Sequence, residues 1–167
     1  LQSGQSSGVN QPEFIAAVET FSQWLRQQPE VTHVNSISDM FKRLNKNMHG
    51  DDPAYYRIPQ QQDEAAQYLL MYEMSLPYGL DLNNQLNLDK SASRITAALQ
   101  NMGSKEITAF EQKALQYLAS EYPQYSATAA STALMFAHIG ERNMASMLQT
   151  LPLALVLISL LLVFSLR

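Results

Sequence analysis

From Asn143 to Leu166 the chain carries no charged residue, and from Leu151 it reads LPLALVLISLLLVFSL before ending in Arg167. Crossing the hydrocarbon core of a bilayer takes about 20 mainly apolar residues in helical form. A buried helix of a water-soluble domain of that length keeps a polar stripe, whereas this run is apolar on every side. All charged residues except Arg167 lie at or before Arg142. The sequence therefore predicts a transmembrane helix over residues 143–167, a folded domain in water over residues 12–142, and a polar N-terminal segment over residues 1–11. Arg142 and Arg167 flank the run at opposite ends, so charge bias alone barely orients it.

The remaining length suffices for one domain of ordinary size with its own core. A formal net charge of -4 and a pI near 5.3 argue against a nucleic-acid partner, which calls for a basic face. The one basic cluster, Lys42, Arg43 and Lys46, is interrupted by Leu44 and reads as the solvated side of a helix. With no cysteine there is neither a disulfide framework nor a thiolate metal site. The opening LQSGQSSGVN lacks the basic and apolar regions of a signal peptide. Delivery across a membrane is therefore expected to depend on sequence ahead of Leu1.

Hydrophobic periodicity sketches an α+β domain. Pro12 and Glu13 open a helix to about Gln28, with Phe14, Val18, Phe21 and Leu25 as one stripe. The β-branched stretch Val31–Ile37 reads as a strand. Ser38 and Asp39 are candidate caps for a second helix with Phe41, Leu44 and Met48 inside and Gly50 as its stop. A loop over His49–Pro59 precedes a third helix, Gln60–Met74, with Ala65, Tyr68, Leu69 and Tyr72 inward. Ser75-Leu76-Pro77-Tyr78-Gly79 breaks it. Leu82–Leu99 reads as a hairpin turning at Asp89-Lys90-Ser91. A helix over Ser104–Glu121 carries Ile107, Phe110, Ala114, Leu115 and Leu118, and Tyr125–Leu134 reads as a last strand. The helix end FSQWLRQQPEVTHV is echoed by KALQYLASEYPQYSAT, pairing Trp24-Leu25 with Tyr117-Leu118 and Pro29 with Pro123. Two helix-then-strand units suggest two ferredoxin-like split βαβ halves followed by the transmembrane helix.

No constellation for catalysis is visible. His33, His49 and His138 stand far apart, outside metal-ligand spacing. Asp51-Asp52 beside His49 is a weak cation candidate, but before Pro53 it reads more simply as turn chemistry. Asp39 is explained by capping. Tyr55, Tyr56, Tyr68, Tyr72 and Tyr78 could line a ligand surface or be half-buried core residues. There is no nucleophile elbow and no phosphate-cradling glycine loop. No catalytic residue, cofactor or metal is assigned, and the residues of any substrate path stay unassigned. Within the apolar run only Thr150, Ser159 and Ser165 break the hydrocarbon character, so no energy-coupling ionisable group lies there.

Taken in order, HVNSISDMFKRLNKNMHGDDPAYYRIP, AAQYLLMYEMSLPYGLDLNNQLNLDKSASRITAAL and ALVLISLLLVFSLR resemble the first extracytoplasmic loop of RND-superfamily exporters. The subgroup is that of the MmpL and hopanoid-transporter-like hydrophobe exporters. The resemblance runs from about Pro12 to Arg167. It rests on Val31, Val34, Ser36 and Asp39, on the YLLMYEMSLP helix exit, on the Asp89–Arg94 hairpin and on the closing FSLR helix end. Where relatives carry Thr-Gly entering the last strand-to-helix region, this chain has Ala129-Ala130-Ser131.

The resemblance implies a periplasmic porter-domain fragment of a proton-driven exporter of hydrophobic or amphiphilic, lipid-like substrates. It places residues 1–142 in the periplasm and the helix from about Met147 to Leu166 in the bacterial inner membrane, with the proton-relay acids on later helices. The implied partners are the rest of the same transporter chain, a lipid-like substrate, membrane lipid and, as an open alternative, further copies of the chain. The rival reading is a single-pass membrane-anchored sensor or scaffold that binds a protein partner. A membrane-tethered hydrolase is a weaker third.

Overall fold

A computed structural model describes residues 1–77 and 82–166, with the side chain of Asn83 also left out of the description. Its elements in chain order are α1 (Pro12–Arg26), β1 (Val31–Asn35), α2 (Ile37–Met48), α3 (Gln62–Ser75), β2 (Thr96–Leu99), α4 (Ser104–Glu121) and α5 (Thr132–Ser165). The chain is thus a mixed helix-and-sheet fold with one apolar helix at its C-terminal end. It divides into two compact units, Leu1–Asn101 with Lys113–Thr128, and Met102–Gln112 with Ala129–Arg167.

In the first unit the core gathers where helical periodicity puts it. Phe14, Ile15 and Val18 of α1, Ile37 and Phe41 of α2 and Ala65 and Leu69 of α3 are all essentially sealed from solvent. Val9, Leu82 and Leu86 complete this cluster, with Leu1, Ile95 and Tyr125 packed against it. Tyr125 meets the Phe14 ring edge-on at 5.2 Å. The N-terminal residues are integral to this packing. Glycine fits position 8, because a Cβ there would collide with the Ser3 side chain. Gly50, at φ +68, ends α2 in the left-handed region.

β1 and β2 form a two-stranded antiparallel sheet, pairing Asn35 with Thr96 and Val34 with Ala97, with a bulge between Val31 and His33. The expected hairpin within Leu82–Leu99 is shorter than its bounds. Its first arm begins as a 3-10 turn at Leu82–Asn84, and around the Asp89-Lys90-Ser91 turn the arms meet at the Leu86–Ser93 bridge, where the Arg94 N–H donates to the Gln85 carbonyl at 2.8 Å and the Asn87 N–H to the Ala92 carbonyl at 3.3 Å. Leu82 and Leu86 stand one helical turn apart and both point into the core, so the asparagine-rich arm has no strand alternation to offer. β2 pairs instead with the β-branched VTHVN stretch. The expected last strand over Tyr125–Leu134 is also corrected, since it is reduced to one bridge at Ser126 before α5 begins at Thr132. Its alanines and threonines offer little side chain to bury, and Ser131 Oγ accepts the Leu134 N–H and starts the helix early. With two strands among the described residues, the sheet is smaller than two complete split βαβ halves.

The second unit consists of the first turns of α4 and all of α5. Thr108, Phe110, Leu134 and Ala137 are its buried residues. At about 1.5 Å per residue, the 34 residues of α5 extend for ~51 Å. Its 18-residue apolar window has a mean hydropathy of 2.4 and buries nothing within the protein. α5 is long and apolar enough to cross a membrane. Pro152 lies inside it, and the Thr150 hydroxyl bonds back to the Ser146 carbonyl at 2.6 Å.

Candidate functional site

The densest polar cluster joins α1 to α2. Lys42 Nζ lies 2.8 Å from Glu19 Oε1 and 3.1 Å from Asp39 Oδ1, and Arg26 reaches Asp39 Oδ2 at 2.6 Å. Arg26 also donates to the Val34 carbonyl of β1 at 3.2 Å. Burial alone would raise the Glu19 and Asp39 carboxyls. Hydrogen bonds and charge from Lys42 outweigh it, with Ser38 and Gln23 helping at Glu19 and Arg26 and Ser36 helping at Asp39, so both lie below the ordinary carboxylate values. Burial would lower Lys42, but its bonds to the two carboxylates hold it above the ordinary lysine value. This network fixes two helices and a strand end in one register.

Two sequence expectations change here. Asp39 is not the cap of α2, because that position belongs to Ser36, and its carboxylate serves the ion-pair network instead. Lys42 does not share a solvated face with Arg43 and Lys46. Its side chain is only 12% exposed, because the α1 acid Glu19 lies opposite it. Two helices' worth of separation in sequence hid that pairing, and only the i,i+3 spacing of Asp39 and Lys42 hinted at it.

Arg43 and Lys46 do line a common feature, an open groove of 460 Å³ with Asn47, Pro53 and Tyr56. Lys42 lies 5.4 Å above the Tyr56 ring. Tyr55 stacks on His49 at 3.8 Å, with Arg57 5.5 Å from its ring. Tyr68 belongs to the core: its hydroxyl donates to Glu64 Oε1 at 2.9 Å and lies 3.2 Å from Asn45 Oδ1, and burial with the Glu64 acceptor pushes its pKa up to about 12. Asn45 in turn donates to the Arg57 carbonyl and ties down the loop. Tyr72 packs on the core edge. The four described tyrosines, Tyr55, Tyr56, Tyr68 and Tyr72, thus do not share one surface, and Tyr78 lies outside the described residues.

Met48, placed inward from its spacing, is 48% exposed because α2 ends there. Asp52 accepts the Ala54 N–H, and this is turn chemistry. His33 is exposed on β1. His138 pairs with Glu111 at 2.8 Å, and Thr108 donates to Glu141 at 2.9 Å, clasping the first turns of α4 and α5. Among the described residues no group of three or more His, Asp or Glu side chains gathers as a metal site.

The echoed residues do meet. Trp24 and Tyr117 stack at 4.3 Å, with Phe21 beside both and Lys113 over the indole. α3, by contrast, leaves Leu70, Met71 and Met74 open to solvent opposite its buried face.

No protein-family model, curated protein or solved structure matches the chain.

Proposed function

We propose that this chain is part of the periplasmic porter region of a proton-driven RND-type exporter of hydrophobic or amphiphilic substrates, anchored by α5 in a bacterial inner membrane. The observation that carries the reading is α5 itself. The first turns of α5 are clasped to the first turns of α4 by Thr108, Glu111, His138 and Glu141, and from Leu151 to Phe164 the helix exposes apolar side chains broken only by Ser159. Rigid-body motion of porter subdomains, transmitted through the membrane helix, is part of this reading.

The split βαβ frame is part of the same proposal. Gln2 bridges Ser126 on one side and Ala92 on the other, both antiparallel, while β2 pairs with β1. Those isolated bridges beside the two-stranded sheet are what support a ferredoxin-like arrangement in this reading. The Leu70, Met71 and Met74 face of α3 suits either a lipid-like substrate or the rest of the transporter, since flexible methionines accommodate irregular apolar partners.

Efflux tests the reading. Cells expressing the parent protein should lose a preloaded lipophilic fluorescent amphiphile faster than cells without it, and a protonophore should abolish the difference. Equal retention contradicts export. A parent reading frame without further apolar spans beyond Arg167 contradicts it independently and favours a single-pass anchor.

A further inference from the structure

We propose that the groove between the second half of α2 and the loop after it binds the phosphate group of a small amphiphile. Of the three cations on this helix, only Lys42 is engaged with the acids Glu19 and Asp39. Arg43 and Lys46, one helical turn apart, meet no carboxylate among the described residues. Arg43 uses only its Nε, on the Asp39 carbonyl at 3.4 Å. Among the described residues its terminal guanidinium nitrogens and the Lys46 ammonium have no acceptor.

The carboxylates of the same stretch are occupied elsewhere. Asp39 holds Arg26, Lys42 and Ser36. Asp52 accepts the Ala54 N–H at 2.9 Å. With its amide nitrogen turned inward, Asn47 donates to Asp51 Oδ1 at 2.8 Å and to the Arg43 carbonyl at 3.2 Å. Residues 37–59 carry four cations against three carboxylates in a chain of net charge -4, so an anion is drawn to this stretch before others.

The walls of the groove are held from inside the domain. Asn45, only 2% exposed, donates to the Arg57 carbonyl at 3.0 Å and so fastens the loop to α2. Pro53 stands in a turn that Asp52 caps, and Lys42 lies over the Tyr56 ring. A site formed before its ligand arrives gives up less ordering entropy on binding. Pro53 and the half-exposed Tyr56 ring set an apolar wall beside the two cations. An arginine fork matches a phosphate through two parallel hydrogen bonds, and a lysine adds a point charge. The groove volume of 460 Å³ suits a small ligand. The inference stands on α2 and its loop alone, and goes beyond the export reading without depending on it.

The test titrates the isotope-labelled full chain in dodecyl maltoside micelles with hexyl phosphate, following backbone amides by NMR. Saturable shifts at Arg43, Lys46, Asn47 and Tyr56 are expected. Replacing both cations, Arg43→Gln with Lys46→Gln, should weaken binding by about tenfold or more, as loss of charge-assisted hydrogen bonds does. The melting transition should stay where it was, because neither side chain supports the core. Tyr56→Ala keeps both cations and should weaken hexyl phosphate while leaving inorganic phosphate unchanged. Absence of saturable shifts, or equal binding by the double variant, overturns the proposal. Inorganic phosphate binding as tightly as hexyl phosphate would mark a bare anion site, and hexanol binding as tightly would mark an apolar one. Either result overturns the assignment to a phosphate-bearing amphiphile.

Discussion

Helices α1 and α5 draw on the same apolar residue types and do opposite things with them. In α1 the Phe14, Ile15 and Val18 side chains are fully buried while Glu13 and Thr20 face solvent. In α5 Leu155 is 65% exposed and Leu161 68%, with no polar side to turn outward. Leaving such side chains in water forgoes about 1.5–3 kcal/mol each. A stripe can be satisfied by neighbouring protein, but a helix apolar all round needs an apolar solvent. Periodicity therefore tells where a helix packs, and its loss tells what medium the helix occupies.

That contrast can be broken at either end. Phe14→Ala removes a sealed aromatic ring and should lower the unfolding free energy of the domain by about 3–5 kcal/mol. Chemical denaturation followed by tryptophan fluorescence would read it, and Leu155→Ala in micelles should leave the same transition nearly unmoved. A comparable loss from Leu155→Ala would mean that α5 packs on the domain core. Val156→Arg places a guanidinium in the apolar run, where insertion costs about 2.5–3.5 kcal/mol. The expected outcome is a shift of the protein from the membrane to the soluble fraction on sucrose gradients, with unchanged circular dichroism of the remaining domain.

The ion-pair network sharpens the comparison at a smaller scale. Lys42→Met leaves Glu19 and Asp39 facing one another with their main counter-charge gone, and should cost about 1–3 kcal/mol at pH 7. Because both carboxyls are held below their ordinary values of 4.5 and 3.8, their contribution is complete above those values and disappears as pH falls through the lower folded-state values. Lys42 is held above 10.5, so its contribution persists below that pH and is lost as pH rises through the folded value. The gap between wild type and Lys42→Met should therefore narrow on acidification below about pH 4. A gap independent of pH from 3 to 7 would show that the variant loses packing rather than charge. Smallest of all, a double-mutant cycle on Trp24 and Tyr117 should return a coupling of about 0.5–1.5 kcal/mol.

Local order was legible and long-range pairing was not. The Pro12 start and the Phe14–Leu25 stripe fix α1, the Ser104–Glu121 helix was read at its observed bounds, and the uncharged run marks α5. β2 was visible as a strand, but its partner β1 lies some sixty residues away, and nothing local distinguishes that partner from the nearer LNNQLNL arm. Val9 and Leu1 sit in a segment polar by composition, so their burial could not be inferred from windows of sequence. Asp39 illustrates the limit for the polar cluster: its position fits a capping role, while its real partners, Arg26 and Lys42, come from two different helices. The Trp24–Tyr117 echo, in contrast, was a textual signal that became a contact.

Topology tests the central claim most directly, because the account requires the domain and the end of α5 to lie on opposite sides of a membrane. Asn101→Cys and Ser165→Cys variants, each the sole cysteine of the chain, would be exposed to a membrane-impermeant maleimide in bacterial spheroplasts and again after permeabilisation. The account predicts immediate labelling at position 101 and labelling at position 165 only once the membrane is opened. Protection at 101 in intact spheroplasts, or equal labelling at both positions before permeabilisation, would contradict it.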